Sequence, residues 1–283
     1  MNRGLWITLG ATLGVGGAVF LGSRRASAAS PSNNNSGSTT PPADLTTPPI
    51  ELAPLPTAAD VHGDLVTNWG DTPADLRPLF MLMEETSKIA GSARLFAGIA
   101  YRESQFVSSA QNGNAEDEQA ERDSSRSAYK NNKDRNPPLR YGEQAAEFGS
   151  GGLFGLLAPY FLWTGVPEVG KTAPLLNAPP ELVFQPRAAA FGAAVYLQRL
   201  LRHYRIDDLA DIKVGWANPS LLGTGRGSEK YRDVRTHFLG DMMTLGIDIH
   251  HATFPAKLSA SAWPGVPAVF TALVGALPSE VTT

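Results

Sequence analysis

The chain predicts a mainly α-helical fold with at most a small β-hairpin, and three observations carry that reading. Apolar residues return every three or four positions in several segments. Few segments alternate with the period of two that a half-buried strand requires. The periodic segments also tend to open on residues that start helices, namely Pro, Ser and Asp.

Taken in order, Thr72-Pro73-Ala74-Asp75 opens a first helix ahead of Leu79, Met83 and Ile89. Ser92 is placed to cap a second helix, in which Phe96, Ile99, Glu103 and Phe106 share one side. The stretch 111–140 is polar, mixes both signs of charge and is closed by Asn136-Pro137-Pro138, so it reads as a long loop. It is either a lid over a groove, with Tyr129 and Tyr141 as stacking surfaces, or a disordered insertion. The small hairpin belongs near it. Pro186 begins a strong helix whose buried stripe is Ala190, Ala194, Leu197, Leu201 and Tyr204. Asp207 and Asp208 open a short helix running towards Trp216. Ser228 caps another, with Tyr231, Val234, Phe238 and Met242 on one face. The segment after Phe254, rich in Pro, Ala and Val, predicts no element.

With 283 residues, 42% of them hydrophobic, the chain has room for one or two domains and a substantial core. Its formal net charge of -3 and the lack of a Lys/Arg stripe argue against a nucleic-acid partner. It has no cysteine, which excludes disulfides, thiol nucleophiles and thiolate metal sites. His250-His251 is the one histidine pair, and adjacent residues diverge on a helix or strand, so neither a metal nor a cofactor is predicted.

The N-terminus carries Arg3, then an uncharged, largely apolar run from Gly4 to Gly22, then Arg24-Arg25 and Ala26-Ser27-Ala28. A basic start, an apolar run and a small-x-small exit form an export-signal pattern. The run also approaches the roughly 20 residues that span a bilayer. The predicted organisation is a signal peptide or membrane anchor over 1–29 and a Pro/Ser/Thr/Asn-rich linker over 30–59. A folded domain over 60–250 and a C-terminal extension over 251–283 follow. The expected location is the periplasm or cell envelope, with a membrane contact if the first segment is retained.

Glu103 is the acid that breaks an apolar stripe. The opposite face of its helix carries Arg94, Arg102 and Gln105, so Glu103 belongs to the buried side. Burial removes hydration from a carboxylate, favours its neutral form and makes it a proton donor near neutrality. A structural role, capping loop amides or pairing with an arginine, is the other reading. Two further elements carry chemistry. Gly149-Ser150-Gly151-Gly152-Leu153-Phe154-Gly155-Leu156-Leu157-Ala158-Pro159 lets backbone approach a neighbour or expose amides to a ligand, and it lacks the Lys-Ser/Thr of a phosphate loop. Trp216-Ala217-Asn218-Pro219 sets an aromatic beside an amide, a pairing that suits a sugar ring; Trp216 alone reads more readily as core than as a ligand platform.

In that order, these pieces resemble the soluble-lytic-transglycosylase-type domains of the lysozyme-like superfamily. Ala97 to Phe106, ending in Glu-Ser-x-Phe, is similar to their catalytic-helix segment. Residues 150–159 resemble their Gly-x-x-Gly-Leu-x-Gln loop, 216–219 their Tyr-Asn-Ala-Gly turn, and 229–234 their Tyr-bearing helix. Ala158 stands where the family has Gln, Trp216 where it has Tyr, and Asn218 lies one place later than the family's Asn.

The resemblance implies a mainly α, lysozyme-like α+β domain with a small hairpin beside the active-site cleft. It implies that Glu103 protonates the glycosidic oxygen between N-acetylmuramic acid and N-acetylglucosamine in peptidoglycan glycan strands. The same carboxylate then acts as base on the muramic 6-hydroxyl and closes a 1,6-anhydro ring. Ser104, Ser150, Gly155, Leu156, Trp216, Asn218 and Tyr231 become expected substrate-binding positions. A hydrolytic lysozyme would need a second acid, for which Asp117, Asp123, Glu143 and Glu147 are candidates. A non-catalytic peptidoglycan-binding envelope or phage-entry protein is the reading from another class.

Overall fold

The computed structural model describes residues 54–58, 61, 69–89, 91–111, 115–164, 178–247 and 265–275. The expected signal segment, most of the linker and His250-His251 lie outside the described residues. Among those described, no helix is long and apolar enough to cross a membrane.

The regular structure is mainly helical, with one two-stranded antiparallel sheet. The helices are α1 (Arg77–Ser87), α2 (Ser92–Ser104), α3 (Ala115–Asn132), α4 (Gly142–Phe148), α5 (Ala158–Leu162), α6 (Pro186–His203), α7 (Leu209–Ala217), α8 (Glu229–Leu245) and α9 (Val266–Leu273). Strands β1 (Ser150–Gly151) and β2 (Leu156–Leu157) form a hairpin between α4 and α5. Short 3-10 helices cover Pro180–Phe184 and Pro219–Leu222.

Three of the predicted helix starts form through local chemistry. Pro186 is the first residue of α6, where a missing N–H costs nothing. Asp208 caps α7 by accepting the Asp211 amide, and Ser228 caps α8 by accepting the Tyr231 amide. Two other starts differ from expectation. Helix α1 begins at Arg77 rather than near Thr72, because Pro78 is tolerated only in a first turn. Ser92 is the first helical residue of α2 and not its cap; the Glu84 carboxylate of α1 accepts the Gly91 and Ala93 amides at 2.9 and 2.8 Å. An anion at the positive end of α2 suits the helix dipole.

The stretch expected to be a long loop is helical over most of its length. It contains no Gly or Pro between 115 and 135, and α3 is laced by side-chain pairs one turn apart, Glu118 with Arg122 and Gln119 with Asp123. Helix α9 lies in what the sequence sets apart as a C-terminal extension, yet it packs on α6 and α1. Phe270 meets Phe191 edge-on at 5.1 Å, and Val266, Val269 and Leu273 are fully buried.

Helix α2 is positioned from three sides. Phe96 packs edge-on against Phe154 of the hairpin turn, ring centres 6.0 Å apart. Arg102 pairs with Asp241 of α8 at 3.0 Å. Gly98 lets α8 cross closely, since a Cβ there would fall 2.0 Å from the Met242 sulfur. The end of α2 that carries Glu103 is therefore held against the hairpin and α8.

Candidate active site

The hairpin turn, Gly152-Leu153-Phe154-Gly155, is anchored by its apolar residues. Leu153 and Phe154 are fully buried, and the Phe154 ring contacts Phe80 of α1 and Phe96 of α2. With that plug seated, two successive turn carbonyls face neighbouring helices. The single Ser104 hydroxyl proton is shared between the Leu153 carbonyl at 2.9 Å and the Ala100 carbonyl of its own helix at 2.8 Å. The Trp216 indole N–H donates to the Phe154 carbonyl at 3.1 Å. A small hydroxyl from α2 and an aromatic from α7 thus clamp the turn, each bond contributing about 0.5–1.5 kcal/mol.

Glu103 lies inside this clamp. Gly155 has a φ of +59°, and a Cβ on it would sit 2.7 Å from Glu103 Oε2. The other oxygen, Oε1, is 2.7 Å from the Lys213 ammonium of α7. The Glu103 side chain is 13% exposed and that of Lys213 6%. The chain leaves α2 through two successive non-glycine residues in the left-handed region, Gln105 at φ +52° and Phe106 at φ +66°. Such backbone costs about 1–3 kcal/mol per residue and persists only where surrounding packing imposes it. Phe106 is held by Phe80 and Tyr101, at ring separations of 6.4 and 5.8 Å.

On the opposite side of α7 lies a second ionic centre, Asp211, with no exposed surface. Arg226 and Arg235 each reach it, at 2.9 and 3.0 Å, the Asp207 amide donates at 2.9 Å, and the Tyr231 hydroxyl donates to it as well. Arg226 also binds Asp207, and Arg235 grips Asp208 with both terminal nitrogens. Burial, followed by the hydrogen bond to Asp211, raises the Tyr231 phenol above its usual range. Burial pushes the Asp208 carboxyl up. The Arg235 hydrogen bond, the helix amides and the arginine charge outweigh it and leave Asp208 below the usual carboxylate range.

Of the sequence-predicted positions, Glu103, Ser104, Gly155, Leu156 and Trp216 come together around the turn. Trp216 is 9% exposed and packs edge-on against Tyr196 at 4.9 Å. Three others lie apart. Tyr231 faces Asp211. Asn218 follows α7, its side-chain oxygen accepting the Ser220 amide and hydroxyl at 3.0 and 2.8 Å. Ser150 sits at the base of the hairpin, where its amide and hydroxyl both donate to Glu121 of α3. Ala158 is fully buried, its amide donating to the Gly149 carbonyl at 2.9 Å.

The acids considered as second carboxylates form their own surface contacts. Asp123 and Glu147 share Arg126, and Glu143 lies close enough to Tyr129 to add, after burial, to the raising of its phenol. The Asp117 side chain lies outside the described set. Among the described residues, no group of three His, Asp or Glu side chains is arranged to hold a metal ion.

Lys213 and Glu121 are absent from the sequence-level site. Lys213 did leave a trace: it lies three residues before Trp216, between Ile212 and Val214, where a solvated lysine is out of place. Compared with protein-family models, with curated proteins and with solved structures, the chain finds no match. The site therefore rests on its own geometry. That geometry is a nearly buried carboxyl at a strained helix end, lying under a side-chain-free turn residue and beside an ammonium.

Proposed function

We propose that this protein cleaves peptidoglycan glycan strands as a lytic transglycosylase, with Glu103 as the single acid and base. The observation that carries the reading is the position of Glu103 against Gly155. A carboxyl 13% exposed, with the turn backbone brought directly against it by a residue without a side chain, is largely desolvated, the condition that favours a proton-donating acid. Protonated Glu103 gives its proton to the glycosidic oxygen between N-acetylmuramic acid and N-acetylglucosamine as the C1–O bond breaks. The carboxylate then takes the proton of the muramic 6-hydroxyl, whose oxygen bonds to C1 and forms the 1,6-anhydro product. The proton count of the site is restored, with no external water and no cofactor. An exported enzyme in the periplasm or cell envelope, cleaved from its leader or tethered by it, would meet this substrate.

A second reading, a glycan-holding protein without catalysis, is favoured by a specific observation: the Lys213 ammonium beside Glu103 stabilises the carboxylate, the form that cannot donate. The buried Ala158, where the family's Gln would be, points the same way.

Incubating the full chain with purified sacculi and weighing the soluble products separates these readings. Anhydro-muropeptides that fall roughly 10²–10⁴-fold in Glu103→Gln are the expected outcome. Reducing-end products identify a hydrolase, and binding without release identifies the non-catalytic protein.

A further inference from the structure

We propose that Lys213 is a positioning residue of this site, one that holds Glu103 as a carboxylate and turns Oε2 towards the glycine turn, so that glycan cleavage is confined to acid conditions. The inference rests on the transglycosylase reading for its activity consequence, and on geometry alone for the pair itself.

A lysine with only 5% of its surface exposed, on a helix and flanked by Ile212 and Val214, requires a charged partner, and Glu103 supplies it at 2.7 Å. The pairing is not a loose surface contact, because α7 is fixed on both sides of Lys213. Asp211, two residues earlier and about 200° around the helix, is locked to Arg226, Arg235 and Tyr231. Trp216, three residues later and on the Lys213 side, is tied to the Phe154 carbonyl. The ammonium therefore arrives at Glu103 on a rigid support, and the two carboxylate oxygens are sorted, Oε1 to Lys213 and Oε2 to Gly155.

Two other charges on the helices beside Glu103 are engaged elsewhere. On α2, Arg102 pairs with Asp241 of α8. On α7, Asp211 is held by its arginines. The hairpin segment 149–158 carries no charged residue. Lys213 is the cation that the structure places 2.7 Å from Glu103. The sign follows directly. Burial alone favours the neutral acid and would keep Glu103 competent to donate up to near-neutral pH. An adjacent ammonium favours the charged form, so a lower pH is needed to load the proton and activity is lost sooner as pH rises. Replacing Lys213 with Met, which has similar length and no charge, reverses this.

The test is a carbon-13 titration of the full chain labelled at the glutamate carboxyl, with the Glu103 signal assigned by its loss in Glu103→Gln. In the unsubstituted protein Glu103 is expected to be a carboxylate at neutral pH. In Lys213→Met its titration is expected to move up by roughly 1–3 pH units, with the alkaline limb of muropeptide release moving alongside. A Glu103 that is still protonated at neutral pH in the unsubstituted protein overturns the proposal, even if the variant does not fold. A signal unmoved by Lys213→Met overturns it too. If both titrations behave as expected and neither protein releases muropeptides, the transglycosylase reading fails and the Lys213 assignment stands.

Discussion

Helix α7 carries two ionic centres two residues apart, and they are built on opposite plans. Asp211 is sealed from solvent and receives donors from two arginines, a tyrosine and a backbone amide, supplied by the loop before α7, the segment before α8 and α8 itself. Lys213 faces the other way, to a glutamate that keeps 13% of its surface, under a glycine turn and beside a strained helix end. The first arrangement joins the loop at 205–208, α7 and α8 into one unit. The second leaves a small part of a carboxyl exposed between an ammonium and a glycine turn. A buried charge saturated with hydrogen bonds fixes a fold; a buried charge beside left-handed backbone and a missing side chain marks a place where conformation has been held for another purpose.

The largest effect on stability is expected at the sealed centre. Asp211→Asn keeps the shape but leaves Arg226 and Arg235 facing a neutral amide, and Tyr231 with a weaker acceptor. Removing one partner of a buried pair costs about 3–5 kcal/mol. The lower end applies because the arginine side chains are 27% and 28% exposed and keep Asp207 and Asp208 as partners. An unfolding free energy lowered by about 3 kcal/mol in a denaturant titration is expected, with weaker glycan cleavage, on the proposed transglycosylase reading, as Lys213 loses its support. A loss below about 1 kcal/mol would show that the centre does not lock α7 and would erase the contrast.

Gly155→Ala tests the open centre, with a smaller expected effect on folding. The new Cβ would meet Glu103 Oε2 at 2.7 Å and Cβ at 3.2 Å, from a residue whose φ is +59°. Alanine at a left-handed position destabilises by about 1 kcal/mol or more. Activity is expected to fall further than that, since the carboxyl itself must move. A thermal melt beside a sacculus assay separates the two. Equal losses in both would make Gly155 a folding residue only.

How much of this was readable beforehand follows from where each signal lies. Helices α6, α7 and α8 begin where Pro186, Asp208 and Ser228 say they should, because capping is settled within one turn of chain. Helix α3 reads as a loop because it carries no apolar stripe; its support is i, i+4 pairing and the packing of α4, which composition hides. Glu103 is visible because it interrupts a periodic apolar face. Its partner is not, since Lys213 and Glu103 meet only through the packing of α7 on the hairpin and α2. The same limit applies to Ser104, Trp216 and Tyr231. Their donors are evident in the sequence, but the Leu153 and Phe154 carbonyls and the Asp211 carboxylate that accept from them are tertiary neighbours.

The smallest expected effect is at Gln105, and it has the opposite sign. Gln105 is exposed and adopts φ +52° directly after Glu103-Ser104, a conformation that glycine reaches without steric cost. Gln105→Gly relieves part of the local strain while adding conformational freedom to the unfolded chain, so a net gain of about 0.5–1 kcal/mol is expected. If the left-handed exit from α2 holds Glu103 under Gly155, that gain accompanies a lower rate of glycan release, because the relaxed backbone no longer fixes the carboxyl. A melt that rises while release falls identifies the strain as part of the site. A melt that rises with release unchanged makes Gln105 an ordinary helix end, and leaves Gly155 and Lys213 as the features that set Glu103 apart from Asp211.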